Sequence, residues 1–298
     1  MLRAIIDQFP GAMQNTALQN ADPAVGEMMQ TQLRKWGIQG EGDNKAHTIR
    51  VVNGHNLAVN VYEHVRSPQI QAEIGLYTYL VQIVDDRLIE PQATEEFAFR
   101  LCSGSPQLHP ALEHLAQICH DLHTSYPAFG ASSIYPSTID FVTSEHFQGQ
   151  NATKDLSLCK DSIPYAKFMR DKDAIGAAYA AFIWPKDVVP DSAEYIQVFP
   201  DTADLVGYFN DIFSYYKEAK AGEKGTYISK LATANERPEI EELGDLIVHV
   251  LALIQRVRRI LGAGEVRDFW ESAMRGFVRF HLQAPRYQLS EVFPELSA

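Results

Sequence analysis

The chain is 298 residues long, with 46% hydrophobic and 21% charged residues, the composition of a soluble globular protein long enough to enclose a sizeable cavity. Its 26 Lys and Arg against 38 Asp and Glu give a net charge of -12, which excludes a broad nucleic-acid or anionic-membrane surface but leaves room for a local basic pocket. Cys102, Cys119 and Cys159 are odd in number and lack paired metal-ligand spacing, so a reducing, cytoplasmic setting is expected.

Met1 to Pro10 carries short apolar pairs broken by Arg3 and Asp7, which does not read as a secretory signal. Beyond a helix expected over 22–36, the first 65 residues offer little that can be read. The next helix is apolar nearly all round: Ile70, Ile74, Tyr77, Leu80, Val81 and Val84 keep the helical period, with Leu76, Tyr79 and Ile83 between them. Such a helix belongs inside a bundle, and it ends at Asp85-Asp86. Further helices are expected over 92–102, 110–124, 134–147, 163–183 and 192–218. Ser103-Gly104-Ser105-Pro106, Trp184-Pro185 and Val189-Pro190-Asp191 are the breakers between some of them. Leu243, Leu246, Ile247, Val250, Leu251, Ile254, Val257, Ile260 and Leu261 then form a continuous stripe that Gly262 and Gly264 end. A last stripe of Val266, Phe269, Trp270, Ala273, Phe277, Phe280 and His281 is closed by Pro285. The longest apolar stretches, Ile74 to Val84 and Ile175 to Trp184, are too short to span a bilayer. Asn151-Ala152-Thr153 matches a glycosylation sequon, which means little without a signal sequence. No repeat or long linker divides the chain, so one all-α domain over 1–298 is expected.

Chemistry concentrates in Asn210-Asp211-Ile212-Phe213-Ser214-Tyr215-Tyr216-Lys217-Glu218. Helical residues four apart lie about 40° apart around the axis and about 6 Å along it, which places Asn210, Ser214 and Glu218 on one oxygen-bearing stripe. Three hard oxygen ligands suit Mg2+, although the same spacing also arises on an ordinary helix surface. Asp85 and Asp86, at the unfavourable C-terminal end of a helix dipole, call for a compensating cation: either Arg87 at the surface or a divalent metal. Two such walls facing one cleft could clamp a diphosphate, with Arg170, Lys217 and Arg286-Tyr287 supplying donors.

Asp85-Asp86, Phe168-Met169-Arg170 followed by Trp184-Pro185-Lys186, the 210–218 segment, and His281 through Arg286-Tyr287-Gln288-Leu289-Ser290 appear in this order in fungal trichodiene synthases. Over roughly 65 to 292 the chain therefore resembles the trichodiene synthase family of class I terpene cyclases. The resemblance implies an all-helical bundle around a central cavity that cyclises farnesyl diphosphate to a sesquiterpene with three Mg2+ ions, often as a homodimer. Carried over, it makes Asp85, Asn210, Ser214 and Glu218 metal ligands. Arg170, Lys217, Arg286 and Tyr287 become diphosphate contacts. One departure stands out: the family usually has another acidic residue three or four places after its first Asp, where this chain has Leu88 and Ile89, with Glu90 one place later.

An apolar, aromatic pocket beneath the metals would shield a carbocation from water. Tyr77, two turns before Asp85 and on the same side, is the first candidate for its lining, followed by Phe141, Phe182, Tyr208 and Trp270. Residues 286–298 are expected to form a mobile tail that closes over the anion. Two other readings remain open at this stage. One is a degenerate cyclase fold that binds a prenyl diphosphate without turnover. The other is a helical phosphohydrolase using His120-Asp121 with His55, His64 and Asp85.

Overall fold

The structure, a computed structural model, describes residues 1–14, 22–38, 44–150 and 156–297. The sequon at Asn151 lies outside the described residues. Among those described the chain is all α-helix and short 3-10 turns, without a strand, as expected. The helices are α1 (Arg3–Ile6), α2 (Pro23–Lys35), α3 (Asn44–Val61), α4 (Pro68–Asp85), α5 (Pro91–Ser103), α6 (Pro110–Ser125) and α7 (Ala128–Gly149). They continue with α8 (Ile163–Asp173), α9 (Gly176–Ala181), α10 (Phe199–Ala221), α11 (Tyr227–Asn235), α12 (Glu239–Leu261) and α13 (Glu265–Gln283).

Helix α4 takes the central position that its all-round apolar surface demands. The Ser67 hydroxyl caps its first turn by accepting from the Ile70 amide, Pro68 fits the first helical position, and every residue from Ile74 to Val84 is buried. It packs against α2, α3 and α6. The two helices approach closely at a glycine pair: a Cβ on Gly54 of α3 would lie 2.4 Å from the Gly75 carbonyl oxygen, so Gly54 cannot be enlarged without moving the helices apart, while a Cβ on Gly75 would press first on the Met29 side chain of α2. On the other side α10 packs between α9, α12 and α13, and α13 returns to α3 to close the ring. The long stripe of α12 is one-sided as expected. Leu243, Leu246, Ile247, Val250, Ile254 and Val257 are buried, each contributing about 1.5–3 kcal/mol of apolar burial, while Ile260 stays outside.

Two expected helices break where the sequence pattern is continuous. The 163–183 segment is interrupted at Ala174-Ile175: Ile175 sits in the left-handed region at φ 51, and α9 restarts at Gly176. A Cβ on Gly176 would lie 2.3 Å from the Ala203 carbonyl oxygen, so the break brings the chain directly onto the backbone of α10. The 192–218 segment is likewise two 3-10 turns, Ser192–Glu194 and Ile196–Val198, before α10 begins at Phe199. Helices α3 and α11 were not expected; α3 carries no clear amphipathic pattern, and α11 is only nine residues long.

Candidate active site

Helix α10 does with its period what the spacing requires: Asn210, Ser214 and Glu218 fall on one stripe, and all three line a cavity of about 460 Å³. Asp85 reaches the same cavity from the last turn of α4. Arg170 enters from α8, Lys217 from α10, and Arg286 and Tyr287 from the 3-10 turn after α13. Residues from four separate stretches thus meet in one place, and each site residue named from the sequence is among them except Tyr77.

The Tyr77 side chain is fully buried behind the lining. Its hydroxyl bonds the Thr138 hydroxyl at 2.8 Å, and its ring meets Tyr179 edge-on at 6.0 Å. The rotation that the helical wheel allowed toward the cavity is taken up by Thr78 and Val81 of the same helix. Phe182, Tyr208 and Trp270 are also core residues away from the lining, whereas Phe141 does line it. Tyr179, Phe277 and Phe280 are the aromatic neighbours that sequence reading did not single out. Phe277 and Phe280 were legible as an inward face of α13, but a stripe facing a cavity looks the same in sequence as one facing packed core.

The two carboxylates that end α4 part company. Asp85 opens to the cavity, where the surrounding protein thins the water around it and raises its pKa, with the Arg286 charge pulling the other way. Asp86 turns outward and pairs with Arg50 of α3 at 2.6 Å. Arg87, the expected partner of the pair, instead approaches Glu145 of α7 at 3.7 Å. Loss of water and the nearby Asp85 charge push the Glu145 carboxyl up to about 7.

Arg170 is fixed on three sides: Nε donates to Asp211 Oδ2 at 2.8 Å, Nη1 to Asp173 Oδ1 at 2.8 Å, and Nη2 to the Gly207 carbonyl at 2.7 Å. Burial pushes the Asp211 carboxyl up, and the guanidinium opposes that shift. Arg286 stands in contrast. Among the described residues it makes no ion pair, and its guanidinium lies 5.6 Å from the centre of the Tyr287 ring. Burial holds Tyr287 above the usual phenol range, so its hydroxyl is a neutral donor, and it accepts from Asn210 Nδ2 at 3.2 Å. Lys217 Nζ sits 3.3 Å from Glu218 Oε1.

Ser214 is the telling member of the stripe. Its hydroxyl oxygen is buried and has no hydrogen-bonding partner, although an unmet buried polar atom costs about 1–3 kcal/mol. The Ser214 oxygen is enclosed as it stands and would reach a cation in the cavity by rotating about its side chain; with the Asn210 amide and the Glu218 carboxylate on the lining, the residue types present fit Mg2+. Among the described residues no three His, Cys, Asp or Glu side chains cluster closely enough to hold a metal by themselves. His120 and Asp121 are exposed on α6, and His64 bonds the Ile183 carbonyl at 2.8 Å. The alternative phosphohydrolase residues are not brought together.

The segment after α13 is docked over the cavity edge. Tyr287 and Leu289 are buried, Tyr216 Oη donates to Glu291 at 2.7 Å, and Lys220 pairs with the same carboxylate at 2.8 Å. These contacts hold the stretch that the sequence left as a tail against α10. Among the described residues no helix is long and apolar enough to cross a membrane.

A family model for trichodiene synthase matches residues 45–297. Monoterpene synthase 25 of Postia placenta is 33% identical over 274 residues, covering 91% of this chain and 80% of that protein. Alpha-cuprenene synthase of Coprinopsis cinerea is 30% identical over 236 residues, covering 78% and 71%. Linalool/nerolidol synthase from Streptomyces clavuligerus, solved in complex with 2-fluorogeranyl diphosphate, superposes with a TM-score of 0.60 at 12% identity, covering 87% of this chain and 91% of that one. At that identity the likeness is one of fold.

Proposed function

The chain belongs to the trichodiene synthase family and is a terpene synthase, a lyase acting on prenyl diphosphates, and from that premise we propose that it ionises and cyclises farnesyl diphosphate with release of diphosphate. The observation that carries this reading is the meeting of Asp85, the Asn210-Ser214-Glu218 stripe, Arg286 and Tyr287 at one cavity whose other residues include Leu57, Val81, Phe141, Phe277 and Phe280. Its volume of about 460 Å³ lies within the range of small-ligand sites.

We assign Asp85 on one wall and Asn210, Ser214 and Glu218 on the other as the groups that would hold Mg2+. Bound there, Mg2+ supplies positive charge to the departing diphosphate. Arg170, already oriented by Asp173, Asp211 and the Gly207 carbonyl, contributes a fixed cationic wall, and donors held in place before the reaction cost no reorganisation when charge develops. Lys217, beside Glu218 at 3.3 Å, and the unpaired Arg286 add further cations, and the neutral Tyr287 hydroxyl adds a donor. Toward the hydrocarbon, the apolar lining keeps water from an allylic cation, and aromatic faces stabilise it by about 0.5–2 kcal/mol.

The test is incubation with farnesyl diphosphate and Mg2+, in parallel with geranyl diphosphate, followed by analysis of volatile products. A cyclic C15 hydrocarbon is expected. A product only from the C10 substrate would overturn the substrate assignment. A longer prenyl diphosphate, or no reaction with either substrate, would overturn the cyclisation.

A further inference from the structure

An ionised prenyl chain becomes a neutral alkene only by giving up a proton, so a cyclisation cavity needs a base near the hydrocarbon. Most cavity groups with lone pairs are committed elsewhere. Asp85 and Glu218 face the cation-binding end, Asp173 is held by Arg170, and the Thr78 hydroxyl accepts from Tyr179 Oη at 3.1 Å. His281 is different. It lines the cavity one helical turn beyond Phe277, its ring stacked on Phe213 at 5.5 Å and tilted against Tyr287 at 4.7 Å.

Its Nδ1 lies 2.7 Å from the Phe277 carbonyl oxygen. A carbonyl can only accept, so Nδ1 carries the hydrogen, and in the neutral ring the lone pair belongs to Nε2. Among the described residues Nε2 has no hydrogen-bonding partner, and it is not one of the fully enclosed unsatisfied atoms, which leaves it open to the cavity the ring lines. We propose that His281 Nε2 is the base that ends the reaction, taking the proton from a carbon next to the final cationic centre.

In that step the C–H bond breaks, its electron pair becomes the new π bond, and the proton joins the Nε2 lone pair to give an imidazolium. The positive charge passes from carbon to the ring, and the proton leaves to the released diphosphate or to water when the site opens. Burial lowers the His281 pKa to about 4, with Arg286 adding to the effect, so the ring is neutral and its lone pair is free near neutral pH. So weak a base suffices because a carbocation is a far stronger acid than an imidazolium; position decides which base is used.

This inference rests on the cyclase reading, and the two fail differently. With farnesyl diphosphate and Mg2+, His281→Phe keeps an aromatic ring in the stack and removes the lone pair. Diphosphate release should persist, while the main alkene falls at least about tenfold relative to alcohols and isomeric alkenes. An unchanged product ratio from folded His281→Phe would overturn the role of His281 and leave the cyclase reading standing. No diphosphate release from any prenyl diphosphate by the unaltered protein would overturn both. Nitrogen NMR of the unaltered protein, labelled at histidine, needs no variant: hydrogen on Nδ1 is expected, and hydrogen on Nε2 of the neutral ring would overturn the proposal.

Discussion

The two walls of the cavity reach the same place by different means. On α10 the period of the helix does everything: residues at intervals of four must share a stripe, and the buried, unpartnered Ser214 hydroxyl stands between the amide of Asn210 and the carboxylate of Glu218. At the end of α4, two adjacent carboxylates of the same chemistry are separated by about 100° of helix, and that turn sends Asp85 to the cavity and Asp86 to Arg50. Regular spacing is robust to how a helix is placed. A position at a helix end depends on how its neighbours pack, and there a change of one residue changes the partner.

Substitutions test this contrast. The largest effect is expected on α10: Asn210→Ala or Glu218→Ala should lower Mg2+-dependent diphosphate release by about 100-fold, and EDTA should abolish it in the unaltered protein. Full activity in EDTA would end the metal reading of both walls. Next is the comparison within α4. Asp85→Asn should cost at least about tenfold more turnover than Asp86→Asn, whose partner Arg50 lies outside the cavity lining. Equal losses would mean that the outward pair also serves the reaction. Arg286→Ala should slow turnover by about tenfold and raise the share of hydrolysed or early-released products, because the docked segment loses its unpaired cation. The same product ratio at the same rate would remove it from the mechanism.

The smallest effect concerns the helix facing α4. The Glu145 carboxyl is raised in the folded protein to about 7, so its contribution to stability is present at acid pH and is lost as pH rises through that value. Glu145→Gln imitates the protonated form and should raise Tm more at about pH 8 than at about pH 5. A larger gain at the acidic pH would show that Glu145 is ionised and well paired with Arg87.

Much of the site was legible because its signals are local. The Asn210-Ser214-Glu218 interval, the Asp85 terminus and Arg286-Tyr287 can be read without knowing where any helix lies. Tyr77 shows the limit of such reading. Its position on the helical wheel allowed it to face the cavity, yet Tyr179 and Thr138 occupy its surroundings and Thr78 and Val81 take the lining. Arg170 shows the same limit from the other side: its charge and its pairing with Asp173 three residues on are local, but Asp211 and the Gly207 carbonyl become its partners only when α8 stops at the Ile175 break and lies against α10.

The sequence by itself determined the all-helical class, the central burial of α4 and the oxygen stripe of α10, since each follows from periodicity along a single helix. Tertiary structure alone decided which aromatic residues line the cavity, which carboxylate pairs with Arg50, and that the His281 ring lies against Phe213 and Tyr287. Those outcomes depend on rotation and close approach between helices distant in sequence, and a pattern of residue types along one helix carries no record of the side chains that will face it.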